Sequence, residues 1–176
     1  IKQKNMENIN INDYLPGSRY GREIRNRVYT LNVHITGRCN VKCTYCHYYA
    51  HRDRKEVAYD MPEKQFIDYM NFIKYWSENV DGTTHYRFSG GDPIVLKDEL
   101  FEKANLASKI TGLNPFILTH GKGMNEQWVN KAKKSSIERV YISIENPINP
   151  DKGAQDPKIT IKNLKAFNSE ELPLLL

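Results

Sequence analysis

The chain has 176 residues, 39% of them hydrophobic and 27% charged, with a formal charge of +5. That is enough sequence for one domain with a sizeable core, in an ordinary globular composition and not a disordered one. No apolar run is long enough to span a bilayer and the first residues are polar rather than signal-like, so a cytoplasmic protein with no membrane partner is expected.

Residues 1–28 are polar, rich in Asn and Arg, and carry Pro16-Gly17 as a turn signal; they read as an N-terminal extension with little regular structure. Residues 29–176 then alternate strand-like and helix-like segments. The first strand is Tyr29 to Thr36, with alternating apolar residues in Leu31-Asn32-Val33-His34-Ile35. It runs directly into the only three cysteines of the chain, Cys39, Cys43 and Cys46, spaced C-x3-C-x2-C. An odd number of cysteines crowded into one loop is no disulfide framework. Three thiolates on such a loop can each reach one metal centre. A four-iron, four-sulfur cluster held this way would keep one iron open to a small molecule. A structural zinc with His47 as fourth ligand is the alternative, although zinc ligands usually come as two spaced pairs and no second pair of cysteines exists here.

Asp60-Met61-Pro62-Glu63 reads as a helix start with Asp60 as N-cap, followed by Phe66, Ile67, Met70, Ile73 and Trp76 as a core stripe. Thr83 to Phe88 is the second strand, and Lys97 to Ile110 a helix with Leu100, Ala104 and Ala107 on one face and Gly112 as its stop. Pro115 to Thr119 is the third strand. Asn125 caps a helix through Trp128, Val129 and Ala132. Lys131-Ala132-Lys133-Lys134 reads as a solvated face of that helix, so the basic charge assigns no nucleic-acid partner, though it suits an anionic cofactor or acidic substrate. Val140 to Ile144 is the fourth strand, with Ile161, Leu164 and Phe167 on its partner helix, and Glu171 to Leu176 offers the start of a fifth strand. This rhythm predicts an α/β fold of parallel strands, about four βα units of a partial barrel.

In such folds binding groups gather at the C-terminal ends of the strands. The strands here end in the cysteine loop, in Ser89-Gly90-Gly91-Asp92-Pro93, in Thr119-His120-Gly121, and in Ser143-Ile144-Glu145-Asn146-Pro147. His120 and Lys122 lie on the same rim and read as solvated loop.

From about Tyr29 onward the chain resembles the radical S-adenosylmethionine enzymes. The similarity is greatest to the group of anaerobic sulfatase-maturating enzymes and peptide maturases that carry a C-terminal auxiliary-cluster (SPASM) domain. The cysteine run with Tyr45 before its last cysteine is the most specific element. Gly90-Gly91-Asp92-Pro93 differs by one methylene from the usual Gly-Gly-Glu-Pro. Ser143 to Pro147 is similar to Ser-Leu-Asp-Gly-Pro, and Thr119-His120-Gly121 to Thr-Asn-Gly.

The resemblance implies that Cys39, Cys43 and Cys46 ligate three irons of a [4Fe-4S] cluster. The methionine amino and carboxylate groups of S-adenosylmethionine would chelate the fourth. Backbone around Gly90 and Gly91 would receive the cofactor's amino group, with Ser89 in the same segment, and Asp92 would orient that turn or help bind the ammonium. Tyr45 would lie by the adenine, while Ser143 and Glu145 would hydrogen-bond the ribose or carboxylate, with Thr119 on the same rim. The implied chemistry is one-electron cleavage of the sulfonium to a 5′-deoxyadenosyl radical that abstracts hydrogen from a substrate. That substrate would be a peptide or protein side chain, with RNA or a small metabolite as the alternative, and an external one-electron reductant is required. A non-catalytic metal-binding or electron-transfer module is the rival from another class. Members of the group continue through further strands, so the visible core is expected to be part of a longer polypeptide.

Overall fold

The computed structural model describes residues 27–43, 46, 59–143 and 174–175. Among the described residues five strands form one sheet: β1 (Val28–Thr36), β2 (Thr83–Gly90), β3 (Phe116–Thr119), β4 (Arg139–Ile142) and the two-residue β5 (Leu174–Leu175). Their spatial order equals their chain order and every neighbouring pair is parallel. Helices α1 (Glu63–Asn79), α2 (Asp98–Thr111) and α3 (Glu126–Lys133) fall between successive strands. Parallel neighbours need such crossovers, and sequential winding is that of a partial (βα) barrel. The expected fifth strand is present at Leu174–Leu175, against Val140 and Tyr141.

Helix endings follow local chemistry. Gly112 adopts a left-handed φ of 73° and its N–H returns to Ser108 O at 2.9 Å, closing α2. The Asn125 side chain accepts from Trp128 N at 2.8 Å and caps α3. The expected Asp60 cap of α1 is not made. The N-cap is Pro62, without a side-chain bond, because the Asp60 carboxylate is taken by Thr36 and Arg38. β2 continues two residues past the expected Phe88 to Gly90, and a short 3-10 helix, Pro93–Leu96, follows it.

Strand alternation divides the sheet into two faces. Val33, Ile35, Tyr86, Phe88, Ile117, Val140 and Ile142 form the core with Phe66, Met70 and Ile73 of α1, Leu100, Ala104 and Ala107 of α2, and Trp128, Val129 and Ala132 of α3. Burying each large apolar side chain contributes about 1.5–3 kcal/mol, and Phe66 and Phe88 add an edge-on ring contact at 5.7 Å. Tyr86 is wholly buried, and its hydroxyl donates to Leu113 O at 2.9 Å; burial pushes that phenol far above its usual pKa, so it remains a donor. The opposite face carries Asn32, His34, His85, Arg87, Phe116, Leu118, Arg139 and Tyr141. Ile144 and the residues expected in the fourth helix lie outside the described residues, as do residues 1–26. No described helix is long and apolar enough to cross a membrane.

Candidate cofactor site

The site begins with an irregularity in β1. His34 pairs with Ser89, yet Thr36, two residues on, pairs with Gly90, so the strand bulges at Ile35. The bulge turns the end of β1 across the end of β2. Gly91 N donates to Thr36 O and Asp92 N to Arg38 O, both at 2.8 Å. Only glycine fits this approach. A Cβ on Gly90 would lie 2.1 Å from Thr36 O, one on Gly91 2.1 Å from Arg38 O, and Gly90 itself has φ of +121°.

The start of the cysteine loop is tied down on its other side. Thr36 Oγ1 accepts from Arg38 N at 3.0 Å and donates to Asp60 Oδ1 at 2.6 Å. The Arg38 guanidinium grips both Asp60 oxygens, at 2.8 and 2.7 Å. Partial burial pushes the Asp60 carboxyl up, but the bonds from Arg38 and Thr36 outweigh it and hold the pKa below its usual value. Gly37 N to Tyr59 O and Met61 N to Ile35 O complete the brace.

Cys39 is exposed, Cys43 and Cys46 are half-buried, and none of the three is in a disulfide. Cys46 N donates to Cys43 O at 3.1 Å, which keeps these two cysteines close. Cys39 Sγ receives the Val41 N–H at 3.4 Å, a bond suited to a thiolate. Among the described residues no three His, Cys, Asp or Glu side chains group closely enough to hold a single metal ion. A zinc ion needs its ligands about one point, whereas thiolates on a four-iron cluster each serve a separate iron. His47 lies outside the described residues.

The polar strand endings meet at Asp92. Its carboxylate is completely buried. Oδ1 accepts from Ile94 N at 3.1 Å and Oδ2 from Thr119 Oγ1 at 2.9 Å, while His120 Nε2 stands 2.8 Å from Oδ2. Asp92 therefore orients its own turn and ties β2 to β3. Thr119 Oγ1 also accepts from Gly121 N, and Thr119 O accepts from Ser143 N at 2.8 Å, bringing in the end of β4. Ser89 Oγ is buried without a partner, on the sheet face opposite the described helices, beside His34. Ser143 is exposed at the rim. Tyr45 and Glu145 lie outside the described residues.

Two residues read as solvated loop are instead bound into the site. Asn40 Nδ2 donates to Lys122 O and Lys122 Nζ to Asn40 O, each at 3.0 Å, stitching the cysteine loop to the segment after β3. His120 Nε2 lies 3.4 Å from Cys39 Sγ as well as beside Asp92. Burial disfavours a charged His120 ring, while the hydrogen bond to Asp92 and then the contact with Cys39 favour one and push its pKa upward; a charged ring would turn an Nδ1 proton against the Lys122 N–H, and that geometry opposes the shift. The Lys122 amide, donating to Nδ1 at 3.3 Å, favours the neutral tautomer with its proton on Nε2. No motif signalled these contacts, since they join residues 81 and 82 positions apart.

Three soft thiolates, a glycine cradle that any Cβ would fill, and an orphaned buried hydroxyl fit a cluster and an adjoining polar cofactor. Comparison with known proteins agrees. Curated relatives include a GTP 3',8-cyclase of Clostridium botulinum, 30% identical over 137 residues, covering 73% of this chain and 37% of the relative. A probable GTP 3',8-cyclase of Methanocaldococcus jannaschii is 30% identical over 135 residues, covering 76% and 40%. The chain thus spans well under half the length of these relatives. Among solved structures, native anSMEcpe with bound AdoMet matches with a TM-score of 0.59 at 19% identity, covering 84% of this chain and 42% of that one. Streptococcus suis SuiB bound to S-adenosylmethionine matches at 0.56 and 20%, covering 82% and 31%. The radical SAM superfamily model matches residues 33–173. By that match and by its fold, the chain belongs to the radical SAM superfamily, whose members use a [4Fe-4S] cluster and S-adenosylmethionine.

Proposed function

We propose that this chain is the cofactor-binding part of a radical SAM enzyme acting on a small anionic substrate. The observation that carries the cofactor half is the contact between the cysteine loop and the Gly90–Gly91 turn, which makes cluster ligands and cofactor cradle one rigid unit. Cys39, Cys43 and Cys46 ligate the cluster and leave one iron for the cofactor. The Gly90–Gly91 backbone takes the amino group, and the Ser89 and Ser143 hydroxyls serve the polar cofactor atoms. Asp92 and Thr119 hold the rim together from beneath. Tyr45 and Glu145 take their adenine and ribose roles from the motif alone. When bound, the pair supplies one-electron cleavage of the sulfonium and hydrogen abstraction from substrate.

The substrate class is supported by the sheet face opposite the described helices. Register aligns Asn32, Arg87, Phe116 and Arg139 in one rung across β1 to β4. Arg87 Nε donates to Asn32 Oδ1. The Arg139 guanidinium lies 5.3 Å over the Phe116 ring, with its Nε buried and unpartnered. The four strands contribute no acidic residue to offset these charges. The rung sits about three residues, roughly 10 Å, below the cysteine rim. A molecule of nucleotide size can therefore rest an anion there and present carbon above. The motif resemblance implies a peptide or protein side chain instead, and an acidic one would meet the same arginines. The curated relatives are named for reaction on GTP, which favours the small anion.

The external one-electron donor would approach the outer side of the cysteine loop. There an open cavity of about 540 Å³ is lined by Asn40, Lys97, Asp98, Lys122, Trp128 and Lys131; Asp98 pairs with Lys131, which leaves Lys97 and Lys122 as a small positive excess suited to an acidic donor.

The test is anaerobic reconstitution of the full-length enzyme, reduction, and assay of 5′-deoxyadenosine. Cys43→Ala should abolish the product; a variant that retains it refutes the ligand assignment. Nucleoside triphosphates, acidic peptides and RNA are then compared for stimulation and mass change. Stimulation by peptide alone, unaffected by Arg87→Met, refutes the small-anion reading.

A further inference from the structure

His120 is placed to act on the cluster without ligating it. Its Nδ1 is occupied by the Lys122 amide at 3.3 Å, so the proton of the neutral ring is on Nε2. That atom faces two acceptors, Asp92 Oδ2 at 2.8 Å and Cys39 Sγ at 3.4 Å. Neither ring nitrogen therefore offers a free lone pair to iron. Asp92 cannot swing away, because Ile94 N and Thr119 Oγ1 hold it in a fully buried position. The imidazole side chain is 15% exposed, which keeps its dipole in a poorly screened setting. With the Val41 N–H, His120 is one of two N–H donors to the same sulfur.

We propose that His120 is a positioning residue: held by Asp92 and the Lys122 amide, it shares its Nε2 proton with the Cys39 thiolate and so raises the reduction potential of the cluster. A hydrogen bond to a ligating sulfur draws electron density from the thiolate and favours the reduced, more negative cluster. His120 and Asp92 are also the residues at which the second and third strand endings depart from the Gly-Gly-Glu-Pro and Thr-Asn-Gly patterns. The two departures contact one another.

The inference rests on Cys39 being a cluster ligand, and its test separates the two. The reconstituted full-length enzyme is titrated against a graded set of redox mediators, with the reduced cluster followed by electron paramagnetic resonance and iron and sulfide measured in every sample. His120→Phe, which has no donor, should lower the ratio of reduced to oxidised cluster at a fixed potential about tenfold, a shift of about 59 mV for one electron. His120→Gln, which restores an N–H, should stay within about twofold of the unaltered enzyme. His120→Met, flexible and also without a donor, makes the same measurement should the phenyl ring fail to fit. Equal cluster content with an unmoved potential in the donorless variants overturns the inference alone, as does an equal shift in the Gln and donorless variants. An unaltered enzyme that takes up no iron and sulfide overturns the functional reading and this inference with it.

Discussion

Replacing Gly91 with alanine tests whether the cysteine loop and the Gly90–Gly91 turn form one unit. The new Cβ would stand 2.1 Å from Arg38 O, 2.6 Å from Arg38 C and 2.7 Å from Gly37 O. All three are backbone atoms, so no side chain can move aside, and the loop must retreat by more than about 1 Å to reach ordinary contact distance. That retreat breaks Gly91 N to Thr36 O and Asp92 N to Arg38 O. Each bond is worth about 0.5–1.5 kcal/mol net, and more if a buried group is left unsatisfied; with the added strain the expected loss is about 2–5 kcal/mol. Gly112→Ala is the internal control. Gly112 has φ of +73° but nothing within 4 Å of its would-be Cβ, so only the left-handed backbone is penalised, by about 1 kcal/mol. Urea denaturation of the metal-free chains measures both, with the midpoint shifting at constant slope. A Gly91→Ala chain no less stable than Gly112→Ala refutes the steric reasoning and with it the rigid coupling of the two segments.

Asn125→Ala removes the acceptor for Trp128 N and should cost about 1 kcal/mol in the same denaturation assay; Asn125→Asp should recover most of it. Tyr86→Phe removes one of the two hydroxyls that reach Leu113 O, the other being Thr111 Oγ1 at 3.0 Å, and should cost about 0.5–1.5 kcal/mol, with an unchanged near-ultraviolet spectrum from the tryptophans showing that the core is otherwise intact. The Asp60 carboxyl has a folded pKa below its ordinary 3.8, so its contribution is complete above about pH 5 and is lost as pH falls through the folded value. The Asp60 and Arg38 side chains are 36% and 46% exposed, and screening holds the effect to about 0.5–1 kcal/mol. Asp60→Asn should flatten that part of the stability profile between about pH 5 and pH 3, and an unaltered slope counts against the Arg38–Asp60 grip.

The features legible in the sequence are those settled within a few residues of chain. Gly112 ends α2 because only a residue without Cβ enters the left-handed region cheaply, and Asn125 caps α3 because its carbonyl reaches an amide three residues on. The cysteine run and the paired glycines are legible for the same reason: the proposed cluster ligation and the close backbone approach both constrain residue type at short spacing. Alternating apolar strands and helical stripes also suffice for parallel winding, as far as the fifth strand at Leu174–Leu175.

Tertiary structure decided what each polar side chain does. Asp60 has the spacing of an N-cap, but the bulge at Ile35 places Thr36 and Arg38 against its carboxylate, and a charged guanidinium outcompetes a helix amide. Asp92 could face cofactor or core in an isolated turn; the register of β2 and β3 puts Thr119 and His120 beside it and turns it inward. The contact of His120 with Cys39 spans 81 positions. It exists only because parallel strands carry residues distant in sequence to one rim, where short-range propensity has no influence and strand register determines which groups meet.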